Sequence, residues 1–180
     1  CWRSGCKRGG RMNPTDPPPG LPQGPFIGRE SFRAILRQAL AEAAQDGWHE
    51  LIVCDASFQD WPLGEREVVQ ALDTWARAGA SQRFTMLAQR YDAVERLHPL
   101  FVGWRRQWAH KIECRGLRAA DALAVPSVLW SLGWALQRLD VLRSSGVSGS
   151  QPDRVLRLRE CLDSWMERSS PAFASTTLGL

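Results

Sequence analysis

Short apolar runs that alternate with amphipathic segments constrain the fold of this chain most strongly. The runs lie at 50–54, 82–88 and 112–115, and their length and apolar content are typical of buried strands. Apolar residues recur at helical spacing around them, over about 29–45, 65–78, 92–97 and 99–110. We predict a break at His98, because Pro99 cannot easily continue a helix but suits the first position of a new one. Strands that alternate with helices in this order predict a mainly parallel sheet covered by helices.

The segment 125–140 fits two structures. Its leucines, from Leu129 to Leu139, have the spacing of a helix, whereas Pro126, Gly133 and an alternating apolar pattern favour a β-hairpin. We choose the hairpin, followed by a loop at 144–151 and a last amphipathic helix over about 153–168. The predicted fold class is therefore α/β, with a single mainly parallel sheet of about four to five strands and a C-terminal helix.

Composition divides the chain into three parts. Residues 1–25 are rich in proline and glycine and are predicted to be disordered, with Met12 as the natural start site. A rival interpretation makes Cys1 a lipidated residue and 2–25 a tether. The α/β domain is expected over 26–168. The tail 169–180 ends Thr-Thr-Leu-Gly-Leu and is either disordered or docked back through Phe173, Leu178 and Leu180.

Bulk charge does not indicate a nucleic-acid-binding protein. The net charge of +4 comes from four basic residues before Met12, because 19 basic and 19 acidic residues follow it. Charge is nevertheless segregated: residues 90–118 carry seven bases against three acids, and residues 42–73 carry eight acids against one base. These two regions either pack together and compensate each other or form a groove that attracts anions.

Other sequence features bear on location and cofactors. No apolar run reaches the roughly 18 residues that span a bilayer, so we expect no membrane span. The five cysteines show no CxxC or CxxH spacing, which indicates a reducing cytoplasm, no structural metal and no cofactor. Abundant arginine and alanine are typical of a GC-rich bacterial genome.

Candidates for acid–base catalysis are few. His49, His98 and His110 are the only histidines, and the sequence contains neither a Gly-x-Ser-x-Gly elbow nor a glycine-rich phosphate loop. Asp55, at the end of a predicted strand, joins His98 and His110 as the weak candidates. The two histidines would lie about 18 Å apart even on one helix, so they cannot share one metal ion. These observations favour a protein without catalytic activity.

Candidates for ligand binding cluster in 91–111. Trp104 and Trp108 share an apolar helical stripe, whereas the residues off that stripe are mainly basic. The predicted contacts for an anion or a partner are Arg105, Arg106, His110 and Lys111. Trp61 lies in the predicted loop 55–64, and we expect its ring to be exposed there.

The order helix, strand, helix, strand, helix, strand, hairpin over about 29–141 resembles one half of the phospholipase D-like fold. It is also similar to uncharacterised bacterial proteins, including a domain attached to some acetyltransferases, that look like degenerate versions of this fold. Active members carry His-x-Lys-(x)4-Asp. Here His110 and Lys111 are adjacent, and no aspartate follows at the required distance. The resemblance therefore implies a scaffold with affinity for phosphate-bearing ligands, but not a phosphodiesterase.

Three functions follow from these patterns. The first is a non-catalytic cytoplasmic module that binds a protein partner or an anionic, phosphate-bearing ligand. The second is a degenerate phospholipase D-like enzyme, which requires two of Asp55, His98 and His110 to converge on one pocket. The third is a nucleic-acid-binding protein, which is less favoured because it requires the bases of 90–118 to form a continuous exposed stripe.

Overall fold

The computed structural model describes residues 20–118 and 125–174, so the predictions for residues 1–19, including Met12, and for Leu178 and Leu180 fall outside it. Eight strands and five helices form in the described residues. Their bounds are β1 Gly24–Phe26, α1 Arg29–Asp46, β2 Glu50–Asp55, α2 Arg66–Arg77, β3 Arg83–Ala88, α3 Asp92–Leu97, α4 Pro99–Gln107, β4 Ile112–Gly116, β5 Ser127–Ser131, β6 Trp134–Asp140, β7 Ser145–Gly149, α5 Pro152–Glu167 and β8 Ser170–Pro171.

One mixed sheet contains all eight strands, in the order β1-β7-β6-β5-β2-β3-β4-β8. The pairs β2–β3 and β3–β4 are parallel, and the other five pairs are antiparallel. The prediction of a mainly parallel sheet of four to five strands is therefore wrong. The antiparallel hairpin β5–β6 joins β2 on the side opposite to β3, and three further short strands extend the two edges.

The strand β7 shows why the sheet was underestimated. Its sequence, Ser-Gly-Val-Ser-Gly, has low strand propensity and was predicted to be part of a loop. Tertiary contacts hold it: β7 pairs with β6 on one side and with β1 on the other. A Cβ atom at Gly146 would lie 2.1 Å from the Gln137 carbonyl oxygen and 2.7 Å from the Phe26 ring, so this close approach requires glycine.

The helix predictions agree with the structure more closely. In α1, buried residues recur at i, i+3 and i+4 from Phe32 to Ala43, and the helix ends at Gly47 in the left-handed conformation with φ of 63°. The break at His98 separates α3 from α4, and Pro99 is the first residue of α4. The hairpin at 125–140 and the C-terminal helix α5 are both confirmed.

Helices cover both faces of the sheet. Leu51 and Val53 pack into the larger core with residues of α1, α2 and α4, whereas Ile52 and Cys54 pack into a second core with α5. This alternation along β2 follows from the two-residue period of a strand that is buried on both faces. We refer to the ends of β2, β3 and β4 at Asp55, Ala88 and Gly116 as the carboxyl edge, and to their starts as the amino edge.

The segments expected to flank the domain also contribute to it. Leu21 is buried and β1 pairs with β7, although Leu21 and the first two residues of β1 lie within the predicted disordered segment 1–25. In the tail, β8 pairs with β4, and the Phe173 ring stacks on Tyr91 with 4.7 Å between the ring centroids. The described part of the tail thus docks through Phe173, as one of the two interpretations of the sequence expected.

Candidate functional site

Asp55 ends β2 at the carboxyl edge, where open α/β sheets commonly bind ligands. Its side chain is buried, and both carboxylate oxygens are fully engaged. Oδ1 accepts hydrogen bonds from the backbone N–H groups of Ser57 (3.0 Å) and Phe58 (2.9 Å). Oδ2 accepts from Trp61 Nε1 at 3.0 Å and from Ser127 Oγ at 2.6 Å. A carboxylate held in this way orders the loop after β2 and has no open lone pair for a substrate.

Arg138 completes this network from the hairpin. Register pairs Arg138 with Ser127, and Ser127 starts the strand next to β2, so the hairpin brings the guanidinium to Asp55. Its nitrogens donate to Asp55 Oδ2 at 2.9 Å, to Ser127 Oγ at 3.1 Å and to Asp60 Oδ2 at 3.1 Å. The guanidinium also lies 4.5 Å from the centroid of the Phe32 ring. The sequence carries no local signal for Arg138, because this residue lies 83 residues from Asp55 and neighbours it only through the sheet.

His98 supports the same loop from its other side. It is buried, and its Nε2–H donates to the Phe58 carbonyl oxygen at 2.9 Å. Burial lowers the pKa of His98 below its ordinary value, since the charged ring would lose its hydration. Phe58 itself has a left-handed φ of 58°, an unusual conformation for a residue with a side chain. Asp55 and His98 therefore both bind the backbone of Phe58, and neither side chain faces open space.

The third candidate for catalysis lies elsewhere. His110 precedes β4 at the amino edge, at the opposite end of the sheet from Asp55. All three histidines of the sequence are among the described residues, and His49, like His110, lies just before a strand at that same amino edge. No two of Asp55, His98 and His110 converge on an open pocket in the described residues.

Two of the five predicted ligand contacts are buried. Arg105 donates to Cys114 Sγ at 3.0 Å and to the Phe173 carbonyl oxygen, and its guanidinium lies 4.3 Å from the Phe173 ring centroid. These contacts tie the tail to α4 and explain why a charged side chain is buried there. The Trp61 ring is 1% exposed and packs edge-on against Phe58 and Phe32. The expectation of an exposed Trp61 ring is wrong, because Asp55 binds its indole nitrogen.

The other three predicted contacts lie towards the amino edge. His110 and Lys111 line a pocket of about 250 Å³ together with Arg83, the first residue of β3. Arg106, in the last turn of α4, is exposed. We call Arg83, Arg106, His110 and Lys111 the basic edge.

Lys111 has a structural role within the basic edge. Its Nζ donates to the carbonyl oxygens of Ala76, in the last turn of α2, and of Gly79, beyond the end of that helix, and it lies 5.2 Å from the Trp108 ring centroid. Cations are favourable near a helix C-terminus, where carbonyl groups lack partners. Lys111 thus keeps its charge beside the pocket, although its hydrogen-bonding capacity is largely used.

Arg83 was not singled out from the sequence. It begins β3, and its backbone N–H donates to the His49 carbonyl oxygen at 2.9 Å. Its side chain is exposed and forms no ion pair with any residue in 20–118 or 125–174. The signal that could have found it is positional, because the first residues of adjacent parallel strands lie at the same edge of a sheet.

Acidic groups near the basic edge are already neutralised. Glu113, which lines the same pocket, pairs with Arg115 at 2.6 Å, and Glu50, the strand neighbour of Arg83, pairs with Arg159 at 2.6 Å. Asp73 pairs with Arg77 at 2.7 Å and accepts from Trp108 Nε1 at 2.8 Å. The contacts with Arg77 and Trp108 outweigh burial and lower the pKa of Asp73. The remaining positive charge of the basic edge is therefore available to an external anion.

The described residues provide neither a metal centre nor a membrane helix. No group of three or more histidine, cysteine, aspartate or glutamate side chains among them is placed to hold a metal ion. Likewise, none of their helices has the length and hydropathy needed to cross a bilayer.

Comparison with known proteins gives a likeness in fold only. No family model and no curated protein matches the sequence. TrmBL2, described as an archaeal chromatin protein with a novel mode of DNA binding, is similar with a TM-score of 0.61 and 16% identity; the match covers 85% of this chain and 55% of that protein. NucT from Helicobacter pylori is similar with a TM-score of 0.53 and 11% identity, over 82% of this chain and 97% of NucT. These likenesses loosely fit the resemblance to the phospholipase D-like fold, and a bacterial origin stays a prediction.

Proposed function

We propose that this chain is a non-catalytic module that binds a phosphate-bearing ligand at the basic edge. The observation that carries the proposal is the placement of Arg83, His110 and Lys111 around one pocket. An arginine without an ion-pair partner binds phosphate oxygens in a bidentate manner, and neighbouring cations raise the local concentration of anions.

The network around Asp55 argues against the enzymatic alternative. A phospholipase D-like reaction needs a histidine nucleophile in reach of a phosphodiester, and His98 is instead buried against the Phe58 carbonyl group. Asp55 is likewise bound by five donors. Asp55 and His98 thus hold the loop after β2 in place. His110, the third weak catalytic candidate, lies at the opposite end of the sheet from Asp55.

Nucleic acid is the phosphate-bearing ligand to test first. The likeness to TrmBL2 is consistent with it, although this chain matches only 55% of that protein. Binding along the whole segment 90–118 is not supported, because Arg105 is buried and Arg115 donates to Met166, Ser169 and Glu113. We therefore propose that nucleic acid contacts the chain over a short stretch of its phosphate backbone, at the basic edge.

The test compares two pairs of arginines at opposite ends of the sheet. Arg83→Gln with Arg106→Gln removes two charges from the basic edge. Arg90→Gln with Arg118→Gln, the matched control, removes two exposed arginines that follow β3 and β4 at the carboxyl edge. Fluorescence anisotropy with a labelled DNA duplex, at several salt concentrations, measures the dissociation constant. Inorganic phosphate and ATP serve as competitors that distinguish a small phosphate ligand from nucleic acid.

We expect the first pair to raise the dissociation constant at least tenfold and to reduce the salt slope by roughly one unit for each arginine. The control pair should change the dissociation constant less than twofold. Equal losses in both pairs, or no binding of DNA, phosphate or ATP by the full chain, would overturn the proposed site. Hydrolysis of bis-p-nitrophenyl phosphate by the full chain would contradict the non-catalytic assignment.

A further inference from the structure

A second pocket, unrelated to the basic-edge contacts, lies between the β5–β6 turn and the first turns of α5. Its volume is about 370 Å³. The apolar part of its lining consists of Trp130, Leu132, Gly133, Pro152, Val155 and Leu156. We call it the apolar pocket.

Trp130 is fixed in the wall of the apolar pocket. Its Nε1–H donates to the Val155 carbonyl oxygen at 2.8 Å, which binds the ring to α5. The Arg159 guanidinium lies 4.9 Å from the ring centroid. With the indole held by a hydrogen bond and by a cation–π contact, the pocket has a rigid apolar wall before any ligand arrives.

The charged groups of the apolar pocket satisfy each other. Arg159 donates to Glu50 Oε2 at 2.6 Å and to Asp163 Oδ1 at 2.9 Å. These carboxylates raise the pKa of Arg159 against the opposing effect of burial. A charged ligand would lose its hydration in the apolar pocket without gaining a free counter-charge, so a neutral ligand is favoured.

The mouth of the apolar pocket exposes two large apolar side chains. Leu132 is 74% exposed and Leu156 is 60% exposed, one on the β5–β6 turn and the other on α5. A ligand between them would remove apolar surface of both from water. The volume lies in the range of small-molecule sites, and a cavity of about 150 Å³ already holds benzene. We propose that the apolar pocket binds a neutral, apolar small molecule of one or two rings.

Gly133 permits a direct test. A Cβ atom built at Gly133 has no atom within 4 Å, and its φ is outside the left-handed region, so a side chain there enters open space without backbone strain. Because Gly133 lines the apolar pocket, we expect the leucine of Gly133→Leu to occupy part of its volume. Gly103→Leu is the matched control, because Gly103 is equally open and lies on α4, away from α5.

Indole, a neutral two-ring compound, is the probe, and ligand-observed NMR titration with the full chain measures its dissociation constant. We expect the wild type and Gly103→Leu to bind indole alike and Gly133→Leu to bind at least tenfold more weakly. Indole-3-acetate, which adds a carboxylate, should bind at least fivefold more weakly than indole to the wild type.

A second variant guards against a folding artefact. Leu156→Ser changes an exposed side chain at the mouth and should weaken indole binding at least threefold, with an unchanged circular dichroism spectrum. Absence of indole binding at millimolar concentration would overturn the proposal, as would equal binding by the wild type and Gly133→Leu. A pocket that accepts only the apolar side chain of a protein partner would give the first of these results. DNA binding by Gly133→Leu should be unchanged, so this test is separate from that of the basic edge.

Discussion

Replacing Arg138 with methionine tests whether the network at the carboxyl edge holds the fold. Methionine keeps much of the apolar length of the side chain but removes the charge and every donor. Loss of the Arg138 guanidinium leaves Asp55 with four donors, namely the Ser57 and Phe58 amides, Trp61 and Ser127. It also leaves a buried carboxylate without its only ion-pair partner among the described residues.

The magnitude follows from burial. The Arg138 and Asp55 side chains are 2% and 6% exposed, so the solvent screening that weakens surface pairs does not apply. Breaking one partner of a buried pair typically costs about 3–5 kcal/mol, because the remaining charge is uncompensated. Since Asp55 keeps four donors, we place Arg138→Met near 3 kcal/mol. Asp55→Ala should cost more, about 5 kcal/mol, because it leaves Arg138 with Asp60 as its only carboxylate partner in the described part of the chain and leaves the buried Phe58 amide and the Trp61 indole nitrogen without their acceptor.

Equilibrium unfolding in urea, followed by tryptophan fluorescence and circular dichroism, measures both losses. Arg143→Met is the matched control, because Arg143 is 84% exposed and forms only a 3.9 Å pair with Asp140; its cost should stay within about 0.5 kcal/mol. The double variant Arg138→Met with Asp55→Ala should lose at least 2 kcal/mol less stability than the sum of the two single losses, because Arg138 and Asp55 share one interaction. A loss below 1 kcal/mol for Arg138→Met, or additive losses, would show that the Arg138–Asp55 pair does not hold the fold.

Two further predictions concern His98 and Phe173. Burial lowers the pKa of His98 in the folded state, so the unfolded state binds a proton first; stability should fall as the pH drops through about 6.5 and level off below the folded-state pKa. The urea midpoint of the wild type should show this loss between pH 7.5 and 5, and His98→Gln should reduce it, whereas persistence of the full slope in His98→Gln would exclude His98 as its source. Phe173→Ala should cost about 2 kcal/mol in the same assay, because it removes the stack on Tyr91 and the cation–π contact with Arg105, and an unchanged midpoint would show that the tail does not stabilise the domain.

Local periodicity predicted most of the helices and inner strands. The buried positions of α1 repeat at intervals of three and four residues, and Pro99 suits the first position of a helix. Both features are therefore encoded within a few residues. The pairing of strands is not encoded in this way. Nothing within 127–131 specifies that β5 runs antiparallel beside β2, and the short strands β1, β7 and β8 consist mainly of residues with low strand propensity.

The same limit applied to the candidate sites. The position of Asp55 at the end of a strand suggested acid–base chemistry. Its ion-pair partner Arg138 is 83 residues away, so the local sequence does not show that the carboxylate is already bound. The polar sequence of the loop 55–64 likewise suggested an exposed Trp61 ring. That sequence does not show that the Asp55 carboxylate binds the indole nitrogen and holds the ring inside. The sequence grouped Arg105 with Arg106, His110 and Lys111 as ligand contacts, but the Arg105 side chain turns inward, and for the other three the contact with a ligand stays a prediction.

The distribution of polar satisfaction along the sheet links the fold to the proposed function. Open sheets usually bind ligands beyond the carboxyl ends of parallel strands, because loops there leave backbone and side-chain groups unpaired. In this chain Asp55, Ser127 and Arg138 pair with one another at that edge, and Phe58 and Trp61 pack over them. This network stabilises the loop after β2 and leaves none of its own polar groups open to a ligand. At the amino edge the balance is reversed, because Arg83 is exposed and without an ion-pair partner in the described residues while the nearby carboxylates are paired. We expect an anion to bind at the amino edge, because Arg83, His110 and Lys111 surround one pocket there. Arg90 and Arg118 are also exposed at the carboxyl edge, so the two arginine pairs compare the edges directly.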